Sequence, residues 1–364
     1  MSPSSLHLFV DISSHGFGHL AQAAPILNEL PRLCPDLTLT VRSGLTIEQL
    51  QTRLHCPFSH RPGRSDFGYV MLDAARIDLA ATASAYREQH TDWEQRVAEE
   101  AALLTALHPD LVLTDVAYLP LAAAARAEIP SLTMCSLNWA DLFLHFFGRE
   151  TWAAPIHAEM LAAYRSAECF LRLTPAMPMR ALPRQQVVAP VSAVGKNCRE
   201  VLQTRTGAAL EEKFILVAFG GFDKNLAAER WPQRQGLRWL IPQNWPIRRD
   251  DMTAFESLDL PFTDMLCSVD AVLTKPGYGT FTEAACNGVP VLYIRRNDWP
   301  EQDCLIEWLQ QNARCVEVSE ADLDSGALNE RLTALWQQAP VAAPKPDGVL
   351  QVATLLLHRL HAHA

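Results

Sequence analysis

The chain has 364 residues, of which 49% are hydrophobic and 20% are charged, and its net charge is −10. This composition predicts a globular enzyme of two or three domains, and the acidic balance argues against nucleic acid as the main partner. No apolar run reaches the ~18–20 residues that a transmembrane helix needs, and the N-terminus lacks the charged region of a secretory signal. A cytoplasmic protein is therefore expected.

Strands and helices alternate along the first half of the chain. Apolar runs predict strands at 6–12, 37–41, 111–115, 131–135 and 169–174, and helical periodicity predicts helices at 20–33, 47–54, 74–107, 118–128 and 155–166. Such alternation is typical of an α/β domain with a doubly wound parallel sheet.

A proline-rich segment at 175–190 is interpreted as a linker to a second α/β half. Strands are predicted there at 214–221, 237–241, 271–274, 289–294 and 315–318, and helices at 262–268, 280–287, 301–312, 328–338 and 348–361. The predicted domains are 1–190, including the linker, and 191–340, while 341–364 supplies a final helix that packs back on the first domain. Ligands of such sheets bind at the carboxyl ends of strands, so the site is expected in a cleft between the domains.

The segment Leu273–Arg296 carries the strongest local pattern, in which a strand, a glycine turn, a helix and a second strand follow one another. Gly277 and Gly279 let the backbone approach a ligand, and the start of the helix attracts anions. Thr280 and Glu283 have the spacing of a capping box. Glu283 either caps the helix or reaches the hydroxyls of a sugar or ribose, and spacing alone leaves both open.

Four segments occur in the order found in one known family: Ser14–His19, Phe219–Gly221, Gly277–Glu283 and Glu301–Asp303. Together they resemble the GT-B glycosyltransferases, which include the lipid-linked N-acetylglucosaminyltransferase MurG, over roughly residues 5–340. This resemblance implies two Rossmann-like domains with an interdomain cleft. It also implies a nucleotide-sugar donor such as a UDP-sugar in the C-terminal domain and an acceptor in the N-terminal domain.

Within that fold, the chain is still more similar to the glycosyltransferase-like N-terminal module of plant-type L-arabinokinases. The matching segments are His15–His19, Asp110–Asp115, Asn138–Trp139, Phe219–Gly221, Lys275–Thr280 and Ile294–Asn297. This second likeness supports the fold and leaves a non-catalytic sugar-binding or nucleotide-sugar-binding module as an alternative function.

The resemblance makes His19 a candidate general base for the acceptor hydroxyl, a task that suits the ordinary histidine pKa of ~6.5. Asp115, which ends a predicted strand, is an alternative base or a partner of His19. The structural alternatives are that His19 caps a helix or lines the cleft and that Asp115 forms a turn.

The acceptor side is predicted to use two further groups of residues. The first group is the glycine turn, with His15, Gly16 and Gly18, unless this is a plain tight turn. The second group is Asn138 and Trp139, where the indole would stack on a sugar ring unless it is simply packed in the core. The apolar run 141–147 favours a lipid-like or aromatic acceptor, or peripheral membrane contact, if it is not core.

On the donor side, the resemblance implies that backbone N–H groups of two glycines face the diphosphate, that Glu283 holds the ribose, and that polar and basic side chains contact sugar and diphosphate. The donor residues are Gly220, Gly221, Gly277, Gly279, Thr280, Glu283, Arg295, Arg296, Gln302 and Asp303, with Glu301 as a weaker candidate. Phe222 departs from the small polar residue usual in MurG-like proteins. Alternatively, Glu301, Gln302 and Asp303 only form a solvated helix N-terminus, where acidic residues are common. The alternative for Arg295 and Arg296 is that they are a pair of surface arginines.

The nine cysteines are scattered without a CxxC pair, and no His/Cys/Asp group has metal-ligand spacing. We therefore expect reduced, mostly buried cysteines, no metal and no cofactor. The predicted reaction is an inverting, metal-independent transfer from a nucleotide-diphosphate sugar to the hydroxyl of a sugar, lipid-linked or small-molecule acceptor. A nucleotide-sugar epimerase is a third alternative, and the sequence predicts no oligomeric state.

Overall fold

The computed structural model describes residues 6–72, 76–219, 226, 228–231, 233–246, 249–296, 298–323, 325 and 327–363. The chain folds into two compact units. The first contains the chain up to Leu72, Ile77–Val191 and the chain from Asp347 onward, and the second contains Ser192–Pro346.

A parallel sheet forms the centre of the first unit. Its strands, among the described residues, are β1 (His7–Ile12), β2 (Thr38–Ser43), β3 (Ser59–Pro62), β4 (Leu111–Asp115), β5 (Ser131–Cys135), β6 (Cys169–Leu173) and β7 (Gln185–Val188). They lie side by side in the order β3-β2-β1-β4-β5-β6-β7. Strands β4 and β5 are buried along their whole length, as expected for a parallel sheet whose two faces are covered by helices.

The helices that cover this sheet connect its strands or follow them. They are α1 (Phe17–Leu33), α2 (Ile47–Gln51), α3 (Leu79–Thr91), α4 (Trp93–Leu107), α5 (Leu119–Arg126), α6 (Trp139–Phe147) and α7 (Ala153–Ser166). The helical region predicted over 74–107 contains two helices, α3 and α4, which are separated at Asp92, a residue with non-helical backbone angles.

The segment 175–190, predicted as a linker, contains the edge strand β7. This strand pairs in parallel with β6, and Phe170 stands opposite Gln185 in the register. The prolines that suggested a linker flank the strand, since Gln185–Val188 itself contains none and can donate its N–H groups to the sheet.

The last helix, α14 (Gly348–His363), belongs to the first unit. It packs on α1 and on β7. Gly348 donates its N–H to the carbonyl of Pro190 over 3.1 Å, and a Cβ atom there would lie only 2.1 Å from the carbonyl oxygen of Ala189. Only glycine permits that approach.

A buried ion cluster joins β1, β2 and α4. The guanidinium of Arg42 donates to Asp11 and, over 2.9 Å, to Glu100, and Ser65 donates its hydroxyl to Asp11 over 2.9 Å. Burial would lower the pKa of Arg42, but the neighbouring carboxylates raise it above the usual arginine value. The guanidinium therefore stays charged and balances the two acids.

The second unit has its own parallel sheet. The described strands are β8 (Lys213–Ala218), β9 (Leu237–Ile241), β10 (Met252–Ala254), β11 (Ala271–Thr274), β12 (Val291–Tyr293) and β13 (Cys315–Glu317), in the order β10-β9-β8-β11-β12-β13. Its helices are α8 (Arg199–Thr206), α9 (Phe262–Cys267), α10 (Tyr278–Cys286), α11 (Gln302–Asn312), α12 (Glu320–Leu323) and α13 (Ala327–Gln337).

Both units are thus α/β units with parallel sheets, and the predicted fold class is confirmed at this level. Among the helices that the structure describes, none combines the length and apolar character needed to cross a bilayer.

Candidate active site

The centre of each sheet marks where a site is expected. In both sheets the strand order reverses at the middle, between β1 and β4 in the first and between β8 and β11 in the second. Loops that leave the carboxyl ends of such neighbouring strands diverge and open a crevice that binds ligands. Asp115 is the last residue of β4, and His19 lies in the first turn of the helix that follows β1.

His19 and Asp115 form a buried pair. The Nδ1 atom of His19 lies 3.0 Å from Oδ1 of Asp115, and the residues are 6% and 0% exposed. Burial would lower the pKa of His19, but the charge and hydrogen bond of Asp115 outweigh it and raise this pKa well above 6.5. The pairing selects the tautomer with a proton on Nδ1 and leaves Nε2 as the basic nitrogen.

Cys135, the last residue of β5, adjoins this pair. Its sulfur lies 3.9 Å from Nδ1 of His19. A ring nitrogen of His19, a carboxylate oxygen of Asp115 and the sulfur of Cys135 all lie within 4.8 Å of one another, a spacing that could hold a metal ion. Burial raises the pKa of the Cys135 thiol to about 11, so it is protonated near neutral pH. The sequence analysis named Asp115 as a possible partner of His19 but missed Cys135, because the three residues lie on separate segments.

The rings of Trp139 and His15 lie near the His19 side chain. The ring centroid of Trp139 lies 5.7 Å from that of His19 and 5.3 Å from that of His15, and His15 also makes an edge contact with Tyr69. Trp139 has no exposed surface, and Asn138 caps α6 by accepting the N–H of Asp141 over 2.7 Å. The structure thus brings His15, Asn138 and Trp139 to the same end of the sheet as the pair of His19 and Asp115, which we call the dyad.

The helix that follows Asn138 contains the whole apolar run 141–147. Leu142, Phe143 and Phe147 are buried in the unit, whereas Leu144 is 50% exposed. Three of the seven residues of this run are therefore core, and two, Leu144 and His145, are exposed.

The glycines around the dyad differ in how strictly they are needed. Gly16 is the N-cap of α1 with an extended backbone, and a Cβ atom at Gly18 would meet nothing within 4 Å. Gly68, which the sequence analysis did not select, has a φ of +61°, and a Cβ atom there would lie 2.6 Å from the His15 ring. Gly68 is thus the glycine that lets the loop pack on His15.

Sequence reasoning also missed Asp66. This buried carboxylate accepts the indole N–H of Trp139 over 2.7 Å and the hydroxyl of Ser13 over 3.0 Å. It lies in a loop after the short polar strand β3, so neither periodicity nor a motif marks it. Its position at the carboxyl end of a parallel strand was the one signal that could have found it.

In the second unit, the structure places the glycine motif where β11 ends. Helix α10 begins at Tyr278, with Gly277 as an N-cap that makes no side-chain capping bond. The predicted capping box of Thr280 and Glu283 is therefore wrong, because Thr280 lies within the helix. Gly277 has no side chain that could cap this helix, and the N-terminus of a helix attracts anions.

Glu283 and Gly279 both lie in α10 and are buried, with Glu283 only 1% exposed. Gly220 and Gly221, predicted to face the diphosphate, lie outside the described residues.

The two arginines that follow β12 have different surroundings. Arg295 is exposed and pairs with Asp303 over 2.5 Å, and Asp303 itself is 76% exposed. Arg296 is buried, and its guanidinium lies 4.3 Å from the ring centroid of Trp299.

The residues around Arg296 form a compact polar group. The side chain of Gln302 exchanges two hydrogen bonds of 2.9 Å with the backbone of Arg296. Glu301 accepts the indole N–H of Trp299, also over 2.9 Å. Gln302 and Glu301 thus hold the Arg296 loop, a local role that the sequence analysis did not anticipate.

No family model matches the chain. The L-arabinokinase of Arabidopsis thaliana is 26% identical over 388 residues, which cover 100% of this chain and 35% of that protein. The chain therefore spans about a third of the length of this curated relative.

Solved structures of glycosyltransferases superpose on nearly the whole chain. The glycosyltransferase of kitacinnamycin matches with a TM-score of 0.61 and 16% identity, covering 99% of this chain and 96% of that one. A UDP-glucosyltransferase from Polygonum tinctorium, capable of glucosylating indoxyl, matches with a TM-score of 0.60 and 15% identity, covering 100% and 95%. The chain therefore has the GT-B fold of these glycosyltransferases, as its sequence predicted.

Proposed function

We propose that the protein is an inverting, metal-independent glycosyltransferase, which moves a sugar from a nucleotide-diphosphate donor to an acceptor hydroxyl. The observation that carries this proposal is the buried hydrogen bond between His19 and Asp115, at the point where the strand order of the first sheet reverses. The GT-B fold of solved glycosyltransferases supports the same reaction class.

In the proposed reaction, Nε2 of His19 takes the proton of the acceptor hydroxyl while its oxygen bonds to the anomeric carbon of the donor. The bond from that carbon to the diphosphate breaks in the same step, and the nucleoside diphosphate leaves with the bonding electrons. One displacement of this kind inverts the configuration at the anomeric carbon. Asp115 holds the imidazole in the required tautomer and stabilises the imidazolium that forms.

The donor is assigned to the second unit. The N-terminus of α10, with Gly277, Gly279 and Thr280, would face the departing diphosphate, whose charge a helix N-terminus stabilises. Arg296 would add a positive charge, since it lies at the carboxyl end of β12 in the same sheet. Glu283 would accept ribose hydroxyls. The UDP-glucosyltransferase among the structural relatives makes UDP-sugars the first donors to test.

Donor binding can be tested by thermal unfolding of the full chain with nucleotides and nucleotide sugars. A ligand present at ~100 times its Kd should stabilise the fold by ~2.7 kcal/mol, which gives a clear rise in Tm. In Glu283→Ala this rise should shrink or vanish, because the proposed ribose acceptor is lost. The matched control is Glu307→Ala, an exposed glutamate on α11, which should keep the full shift. An unchanged shift in Glu283→Ala would contradict the assigned role.

The dyad also predicts how turnover depends on pH. His19 must be neutral to take a proton, and its pKa is raised above 6.5 by Asp115, so kcat should rise with pH through a midpoint above ~6.5. In Asp115→Asn the charge that raises this pKa is gone while burial still lowers it. The midpoint should therefore move to lower pH, and the plateau should fall because orientation is lost. Profiles of kcat between pH 5.5 and 9.5 measure the midpoint and the plateau of each protein. Equal midpoints in wild type and Asp115→Asn would show that Asp115 does not raise the pKa of His19.

The match to L-arabinokinase favours one alternative of another class. Because this chain aligns along its full length with about a third of that kinase, it is also a candidate for a non-catalytic module that binds a sugar or nucleotide sugar. A Tm rise with a free sugar, no transfer to any acceptor, and equal ligand binding by wild type and His19→Ala would support the module over the enzyme.

A further inference from the structure

Asp66 lies near His19 and Asp115, and its carboxylate binds residues that follow two other strands. Its Oδ2 accepts the indole N–H of Trp139 over 2.7 Å, and its Oδ1 accepts the hydroxyl of Ser13 over 3.0 Å. Ser13 follows β1, Asp66 follows β3, and Trp139 opens the helix after β5. One buried carboxylate therefore joins the loops after three strands at the end of the sheet that holds His19 and Asp115.

Trp139 connects Asp66 to the dyad, because its indole packs near the imidazole of His19. Its indole ring has no exposed surface, and its centroid lies 5.7 Å from that of His19. The backbone N–H of Trp139 is also fixed, by a 3.1 Å bond to the hydroxyl of Tyr164. Because Nδ1 of His19 is held by Asp115, the direction of Nε2 depends on the rings packed against the imidazole.

We propose that Asp66 is a positioning residue of the His19–Asp115 dyad, which acts by fixing the indole of Trp139 against the imidazole of His19. Its effect on turnover rests on the proposed transferase function, whereas its effect on the His19 ring does not.

The groups that face Asp66 come from several elements. Asp11 on β1 carries a negative charge that Arg42 balances, His19 on α1 contributes a positive charge when protonated, and Ser13 and Trp139 donate hydrogen bonds. Burial, and after it the charge of Asp11, raise the pKa of Asp66 to about 6 against the effect of these donors. The indole needs an acceptor oxygen rather than a charge, so an amide oxygen can replace the carboxylate.

Three variants of the full chain separate these effects: Asp66→Asn, Asp66→Ala and Trp139→Phe. The first keeps an acceptor for the indole, the second removes it, and the third removes the donor. We expect kcat to fall ~10- to 100-fold in Asp66→Ala and Trp139→Phe, with KM within ~3-fold, because small displacements of a catalytic group cost this much. At pH values above the pKa of His19, the kcat of Asp66→Asn should stay within ~3-fold of the wild-type kcat.

Asp66→Ala and Trp139→Phe should also be non-additive, because both break the same contact. The double variant should lose no more kcat than the worse single variant. Trp152→Phe is the matched control, since it removes another indole of the same unit whose ring contacts Phe143 and Phe147, and its kcat should stay near that of wild type.

Histidine NMR tests the proposal without any assay of transfer. The Cε1–H resonance of His19, assigned by its loss in His19→Ala, should shift in Asp66→Ala and Trp139→Phe. In Asp66→Asn its pKa should fall, since a negative charge near the imidazolium is removed. An unshifted resonance in folded Trp139→Phe, together with an unaltered pKa in Asp66→Asn, would overturn the proposal even if Asp66→Ala fails to fold. If the wild-type protein shows no transfer activity, the proposed transferase function is refuted, but the effect of Asp66 on the His19 ring is not.

Discussion

Replacing His19 with alanine should reduce kcat by about 10²–10⁴, the usual contribution of a general base. His19 is the buried imidazole whose Nδ1 is bound by Asp115, so alanine removes the group that takes the acceptor proton. Donor affinity should change little, because the donor is assigned to the second unit. Initial rates with a saturating donor, and the ligand-induced Tm shift, measure the two effects separately.

The control for this experiment is His55→Ala, which removes an exposed histidine of the same unit and should leave kcat unchanged. A His19→Ala variant that is folded and keeps more than about a tenth of the wild-type kcat would show that another group takes the proton. Loss of donor binding in His19→Ala, with little further effect on turnover, would place His19 in the donor site instead.

The largest expected loss of stability follows from Arg42→Met. Arg42 is the cation between Asp11 and Glu100, and its side chain is 7% exposed. Methionine retains much of the apolar volume but leaves Asp11 buried and unpaired, and removing one partner of a buried ion pair costs about 3–5 kcal/mol. The free energy of unfolding from denaturant titration should fall by this amount.

Two further variants test whether the unpaired carboxylate of Asp11 causes the loss of stability. Arg32→Ala removes an arginine with a 78% exposed side chain that pairs with Glu29 at 3.8 Å, and it should change stability by no more than about 0.5 kcal/mol. The double variant Arg42→Met/Asp11→Asn should be more stable than Arg42→Met alone, because the unpaired carboxylate is gone. If adding Asp11→Asn restores nothing, the loss comes from packing and not from charge.

The sequence was most informative about the interior of each sheet. Residues 214–218 of β8 and the whole of β12 are apolar and buried, because strands of a parallel sheet are covered on both faces. The edge strands β3 and β7 escaped prediction for the opposite reason. Ser59–Pro62 and Gln185–Val188 are partly exposed, and neither sequence shows the apolar run or the alternation that predicts a strand.

The site was only partly predictable, because its contacts join distant segments. Asp115 was predicted as an alternative base or a partner of His19, and their 96-residue separation becomes a 3.0 Å contact because β1 pairs with β4. Asp66 was missed because its contacts with Ser13 and Trp139 join segments that are far apart in the sequence. The capping box at Thr280 was wrong because helix boundaries depend on the local backbone, and the extended Gly277 allows α10 to start earlier.

The assignment of α14 to the first unit has a consequence for how the protein is made. The ribosome completes Ser192–Pro346, the whole second unit, before it adds the segment that packs on α1. Domains often fold during synthesis in the order in which they emerge, yet here the unit that begins first is finished last. Until α14 arrives, the surface of α1 that it covers stays open to water and to chaperones, so a stalled or truncated chain would carry a complete second unit beside an unfinished first one.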